Sequence, residues 1–96
     1  MRYGLQEALI GEIIDIAKKN RINKLVLFGS RARGDYKERS DIDLACMGGD
    51  GASFLIETEE DTSTLLKFDI VNMDNPVQKE LLDSIEREGI VIYEKV

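Results

Sequence analysis

The run Lys24-Leu25-Val26-Leu27-Phe28, closed at once by Gly29, constrains the fold of this chain more than any other stretch. It is short, apolar and rich in strand formers, and it reads as a buried strand. Ahead of it, apolar residues recur at Leu5, Leu9, Ile10, Ile13, Ile14, Ile16 and Ala17, the spacing of a helix with one buried stripe running to about Asn20. After it, Ser30 to Gly34 reads as a turn or the first turns of a short helix. Ile42–Met47 reads as a second strand, 52–60 as a short helix and 65–72 as a third strand. Asn75-Pro76-Val77-Gln78 then predicts a helix start, with Asn75 as cap, Pro76 at the first helical position and Gln78 reaching back. That helix should run to Gly89, and 90–93 (IVIY) should form a last strand at a sheet edge. The order α-β-α-β-α-β-α-β predicts an α/β (α+β) fold with a small mixed β-sheet flanked by helices.

At 96 residues the chain is expected to be a single domain, 1–96, with one modest core and no separate acceptor-binding module. It carries 19 acidic and 13 basic residues, a formal charge of -6, which disfavours a general coat for nucleic acid or anionic membrane. The charge is uneven. Between Lys18 and Arg39 stand eight basic residues against Asp35 and Glu38 alone, which suggests a small anion site. There is no histidine, so Ser-His triads, His-based acid–base catalysis and His-ligated zinc are excluded. The one cysteine, Cys46, forms no disulfide within the chain, in keeping with a reducing, cytoplasmic location. No signal peptide or membrane span is expected.

Three places carry chemistry. Gly29-Ser30 directly follows a strand, where glycine lets a ligand approach the backbone and free N–H groups at a helix start can bind phosphate. An ordinary strand-to-turn glycine with a capping serine fits those two residues equally well. Asp41-Ile42-Asp43 puts two carboxylates about 6.5 Å apart on one face of a strand. Such a pair repels unless a cation lies between, and oxygen donors suit Mg²⁺ or Mn²⁺. A solvated acidic turn is the alternative, weakened because Asp43 already lies inside the alternating strand pattern. Asp69 sits in a strand-like apolar run, so it belongs either to a solvent face or to a site. If its strand lies beside that of Asp43, three carboxylates converge, enough to hold two Mg²⁺ ions for an in-line displacement at phosphorus.

Gly29-Ser30, then Asp41-x-Asp43, resembles the signature of the DNA polymerase beta-like nucleotidyltransferase superfamily. The fuller string from Gly29 through Gly34, with Ser40 to Leu44, Phe68 to Val71 and the ending Glu88 to Tyr93, is similar to the minimal nucleotidyltransferases, from about Leu5 to the C-terminus. The resemblance implies a polymerase beta palm-like fold and transfer of a nucleoside monophosphate from a triphosphate to an acceptor hydroxyl. It implies that Gly29 and Ser30 hold the β- and γ-phosphates, that Asp41 and Asp43 bind two Mg²⁺ ions, and that Asp69 binds the catalytic metal and helps deprotonate the acceptor. Arg31 and Arg33 become candidate phosphate partners, although pairing with Asp35 or Glu38, or plain solvation, suits them as well.

Proteins of this size in the family resemble antitoxins paired with a helical HEPN toxin. The resemblance therefore implies a protein adenylyltransferase, with ATP as donor and a tyrosine of the toxin as acceptor, working as a homodimer or a hetero-oligomer and without direct nucleic-acid binding. The alternative is a non-catalytic antitoxin that neutralises its partner by stoichiometric binding. Tyr36 could stack on a base or meet a partner. Tyr3, Tyr93 and Cys46 read as packing residues.

Overall fold

The computed structural model describes all 96 residues. Eight elements follow in the expected order. They are α1 (Glu7–Lys19), β1 (Lys24–Phe28), α2 (Gly29–Arg33), β2 (Ile42–Met47), α3 (Gly51–Asp61), β3 (Phe68–Asn72), α4 (Lys79–Glu88) and β4 (Ile90–Glu94). The four strands form one mixed sheet in the order β3-β2-β1-β4. β1 runs antiparallel to β2 and β4, while β2 and β3 are parallel. A parallel pair needs a crossover, and α3 supplies it.

The two faces of the sheet bury different amounts. In β1, Leu25 and Leu27 point to the face covered by α1 and α3, and Val26 and Phe28 to the face covered by α4. The first face holds a core of twelve buried residues, including Leu9, Ile13, Ala17, Ile42, Leu44 and Phe54. The second holds only four: Val26, Phe28, Ala45 and Ile85. The period of two along β2 therefore sends Ile42, Leu44 and Cys46 into the large core, and Asp43 and Ala45 to the thinly covered side. Cys46 thus faces away from Asp43, a buried thiol whose pKa is raised chiefly by burial.

Two element starts differ from the expectation. β3 begins at Phe68 rather than at position 65, because its pairing starts where β2 starts, at Ile42↔Phe68. Leu65 is left fully exposed, outside any strand. Asn75-Pro76 does not start α4. The Asn75 N–H donates to the Asn72 carbonyl at 3.1 Å and the Asp74 N–H to Asn72 Oδ1 at 3.0 Å, so these residues form the turn leaving β3. Gln78 occupies the cap position, without a side-chain cap bond. Gly89 ends α4 as expected, but in extended backbone (φ -64, ψ 139), which leads straight into β4. The short helix expected at 52–60 forms as α3, capped by Asp50, whose Oδ1 accepts from the Ser53 N–H at 3.0 Å.

Candidate active site at the carboxylate end of the sheet

The parallel pairing of β2 and β3 places Asp43 directly beside Asp69 in register. The antiparallel pairing of β1 and β2 places Phe28, the last residue of β1, opposite the same Asp43. The next residue is Gly29, at φ +75, so the chain turns into α2 immediately over the Asp43 carboxylate. A Cβ at Gly29 would overlap Asp43 Oδ2 and Cγ, and the positive φ is itself strained for any residue with a side chain. Glycine is thus required at this point on two counts. Ser30, half-buried, follows in the first turn of α2, where backbone N–H groups lack intrahelical partners.

Asp43 is half-buried, whereas Asp41 and Asp69 are exposed. Burial, and after it the charges of Asp69 and Asp41, push the Asp43 carboxyl up from 3.8 to about 6; Arg33 and Arg31 pull it partly back. That balance marks a concentration of negative charge which a cation would relieve. The three like charges repel, and no three acidic side chains are gathered closely enough to hold an ion by themselves. The donor set, carboxylate oxygens only, suits a hard divalent cation such as Mg²⁺ or Mn²⁺. Beside Asp41 runs a groove of about 560 Å³ lined by Glu38, Arg39, Asp41, Leu65, Leu66 and Lys67. Its volume falls within the range of small-ligand sites.

The two arginines of the Gly29–Gly34 string are placed differently. Arg33 lies at the surface, with Nη1 donating to Glu88 Oε2 at 2.9 Å and Nε to Asp35 Oδ2 at 3.1 Å. Arg31, expected as a phosphate partner, is 1% exposed and directs its guanidinium at backbone carbonyls. Tyr36, itself exposed, lies against it, with the guanidinium carbon 5.1 Å from the ring centre. Sequence reasoning missed two contacts here: Glu88 of α4 on Arg33, and Tyr3 on Arg31. Both link residues far apart in the chain, and no local pattern signals them.

The chain matches the family described as polymerase beta, nucleotidyltransferase, over residues 11–96. It belongs to that family. A relative from Methanocaldococcus jannaschii, named "Putative protein adenylyltransferase", is 41% identical over 69 residues, an alignment that takes in 69% of this chain and 67% of that one. Among solved structures, a toxin–antitoxin with AMP-PNP superposes with a TM-score of 0.68 at 20% identity, covering 90% of this chain and 73% of the other. A mutant of the toxin–antitoxin MntA-HpeT gives a TM-score of 0.71 at 18% identity, with the same coverage of 90% and 73%. At these identities the structures bear on the fold, and they share the architecture described above. The protein is a nucleotidyltransferase with a small mixed sheet flanked by helices. No helix is long and apolar enough to cross a membrane.

Proposed function

We propose that this protein is a Mg²⁺-dependent protein adenylyltransferase of the cytoplasm. In this reading residues 1–96 act as one domain, moving AMP from ATP to a tyrosine hydroxyl on a helical HEPN-type toxin and thereby serving as its antitoxin. The observation that carries the reading is the register Asp43↔Asp69, with Gly29 turning directly over Asp43. It brings the Gly29-Ser30 backbone and the paired carboxylates to one end of the sheet, which supports reading them together as a triphosphate site. The adenylyltransferase name of the relative and the toxin–antitoxin assemblies of the fold neighbours support the choice of donor and partner. The groove beside Asp41 opens to solvent, in keeping with an acceptor carried by another protein.

In this reading Gly29 and Ser30 hold the β- and γ-phosphates through backbone N–H groups and the serine hydroxyl. Asp41, Asp43 and Asp69 would hold two Mg²⁺ ions together with the triphosphate oxygens, and the ions would offset charge on the phosphates and carboxylates. Asp69, the more exposed of the paired carboxylates, accepts the proton of the acceptor hydroxyl. The acceptor oxygen then bonds to the α-phosphorus, the bond to the bridging oxygen breaks, and pyrophosphate leaves. Arg33 stands at the surface near Asp43 and is the arginine free to exchange its carboxylate partners for phosphate.

The test is intact mass measurement of the toxin after incubation with this protein, Mg²⁺ and each nucleoside triphosphate. A gain of one AMP unit is expected with ATP, requiring Mg²⁺ and absent with the Asp41→Asn/Asp43→Asn double variant. A stable complex with no mass gain, formed equally by wild type and double variant, would instead establish neutralisation by binding alone.

A further inference from the structure

Arg31 is among the largest fully buried side chains of the molecule, and it takes part in none of the ion pairs. An arginine is always charged, so burying one without a carboxylate is costly unless its donors are satisfied. They are satisfied almost completely by carbonyls. Nε and Nη2 donate to the Ser40 carbonyl at 3.2 and 2.9 Å, Nη2 donates to Glu38 at 3.3 Å, and Nη1 donates to Tyr3 at 3.0 Å. Four of five N–H groups are thereby engaged, across segments nine and 28 residues away.

Each end of this bridge is anchored. On one side, Tyr3 and Gly4 form a left-handed turn (φ 58 and 70) closed by Arg2 N–H to the Leu5 carbonyl at 2.9 Å and Leu5 N–H to the Arg2 carbonyl at 2.7 Å. Leu5 is buried in the large core, so the Tyr3 carbonyl is held relative to α1. A Cβ at Gly4 would overlap the Tyr36 ring and crowd Arg31 Nη1, so the turn fits closely over the guanidinium. On the other side, the Ser40 carbonyl shares its rigid peptide plane with the nitrogen and Cα of Asp41. The far flank of Asp41 is held as well, by the Ile42 N–H donating to the Lys67 carbonyl at 2.9 Å.

We infer that Arg31 is a positioning residue that fixes the backbone of Asp41 by clamping the Ser40 carbonyl to the N-terminal turn. Asp41 is exposed and precedes β2, so neither core packing nor the strand ladder holds its N-terminal side. The guanidinium fork does, and a lysine cannot reproduce it, because an ammonium is a single point with no planar fork. The inference rests on the reading of Asp41 as a metal-binding carboxylate given above.

The test compares full-length wild type, Arg31→Lys and Arg31→Met, with Mn²⁺ alone as the probe, by calorimetry, alongside amide exchange. Arg31→Lys keeps charge and stem, so it carries the test if Arg31→Met fails to fold. Arg31→Lys is expected to weaken Mn²⁺ binding about tenfold or more, the usual effect of removing a group that orients a ligand. Exchange should quicken in the amides of residues 37–42 and stay slow in β1. Asp41→Asn should cost much less in the Arg31→Lys background than in wild type, a non-additivity that general loosening would not produce. Wild-type Mn²⁺ affinity and exchange in Arg31→Lys, or strictly additive effects, would overturn the inference. A wild type that does not bind Mn²⁺ would sink the functional reading instead, and exchange at residues 37–42 would then decide the role of Arg31 alone.

Discussion

The two faces of the sheet divide the work of this molecule unequally. One face is sealed by α1 and α3 over twelve buried residues, and the residues of β1, β2 and β3 that point to it include no carboxylate. The other is covered by α4 over four, and it carries Asp43 in a central strand and Asp69 in the edge strand beside it. A carboxylate on the first face would be buried among Leu44, Ile13 and Phe54 and would cost several kcal/mol. On the second it keeps access to water and to a ligand. A 96-residue chain can afford one well-filled core, and the incomplete cover on the opposite side leaves the opening in which chemistry can occur.

That division can be broken in three ways. The largest effect is expected from Phe54→Ala, which empties the middle of the sealed face. It should lower stability by about 3–5 kcal/mol and the melting temperature by at least about 12 °C, measured by thermal or urea denaturation. Asp43→Asn should show the opposite pattern, with transfer lost and stability retained. If Asp43→Asn destabilised the fold as Phe54→Ala does, the two faces would not divide structure from function.

A smaller effect sharpens the same comparison through pH. Because Asp43 titrates near 6 in the folded chain against an ordinary 3.8, the folded state binds its proton more tightly than the unfolded state does. Stability therefore falls as pH rises from about 4 to about 6, and levels off above that window. The group is only half-buried, so screening limits the change to about 1 kcal/mol. Melting temperatures across the window should show this slope in wild type, and less of it in Asp43→Asn. An identical slope in both would mean that the strain lies elsewhere.

The smallest expected change in stability comes from Arg33→Ala. Its partner Asp35 lies at the surface, and Glu88, though mostly buried, keeps Arg87 at 3.7 Å, so the loss should cost about 1 kcal/mol or less. If Arg33 meets phosphate, the rise in KM for ATP should be much larger than that change implies. A drop in melting temperature with unaltered KM would leave Arg33 a tie between α2 and α4 and nothing more.

Much of this molecule follows from local pattern. Lys24–Phe28 and Ile42–Met47 are strands over the residues their composition indicates, because short apolar runs of strand formers have few other stable fates. α1 follows from its apolar stripe, and the Gly29-Ser30 turn from the need for a residue without a side chain after a strand. The start of α4 was less legible. Asn75-Pro76 makes as good a turn as a cap, and Asn72, three residues earlier, decides between them by bonding back to the chain. Leu65 looks like strand by composition, and it is exposed because no neighbouring strand reaches it.

The sequence by itself determined the kinds and order of the elements and the presence of carboxylates inside strand-like runs, since periodicity and backbone preference act over a few residues. Only the tertiary structure decided that Asp69 stands beside Asp43, because that pairing joins segments 26 residues apart through a parallel crossover. It also decided the roles of Arg31 and Arg33. The two have the same chemistry and lie two positions apart in one short helix, so they point about 200° apart around its axis. One is turned into the protein against carbonyls of remote segments, the other toward Asp35 and Glu88 at the surface, and no composition or spacing distinguishes them beforehand.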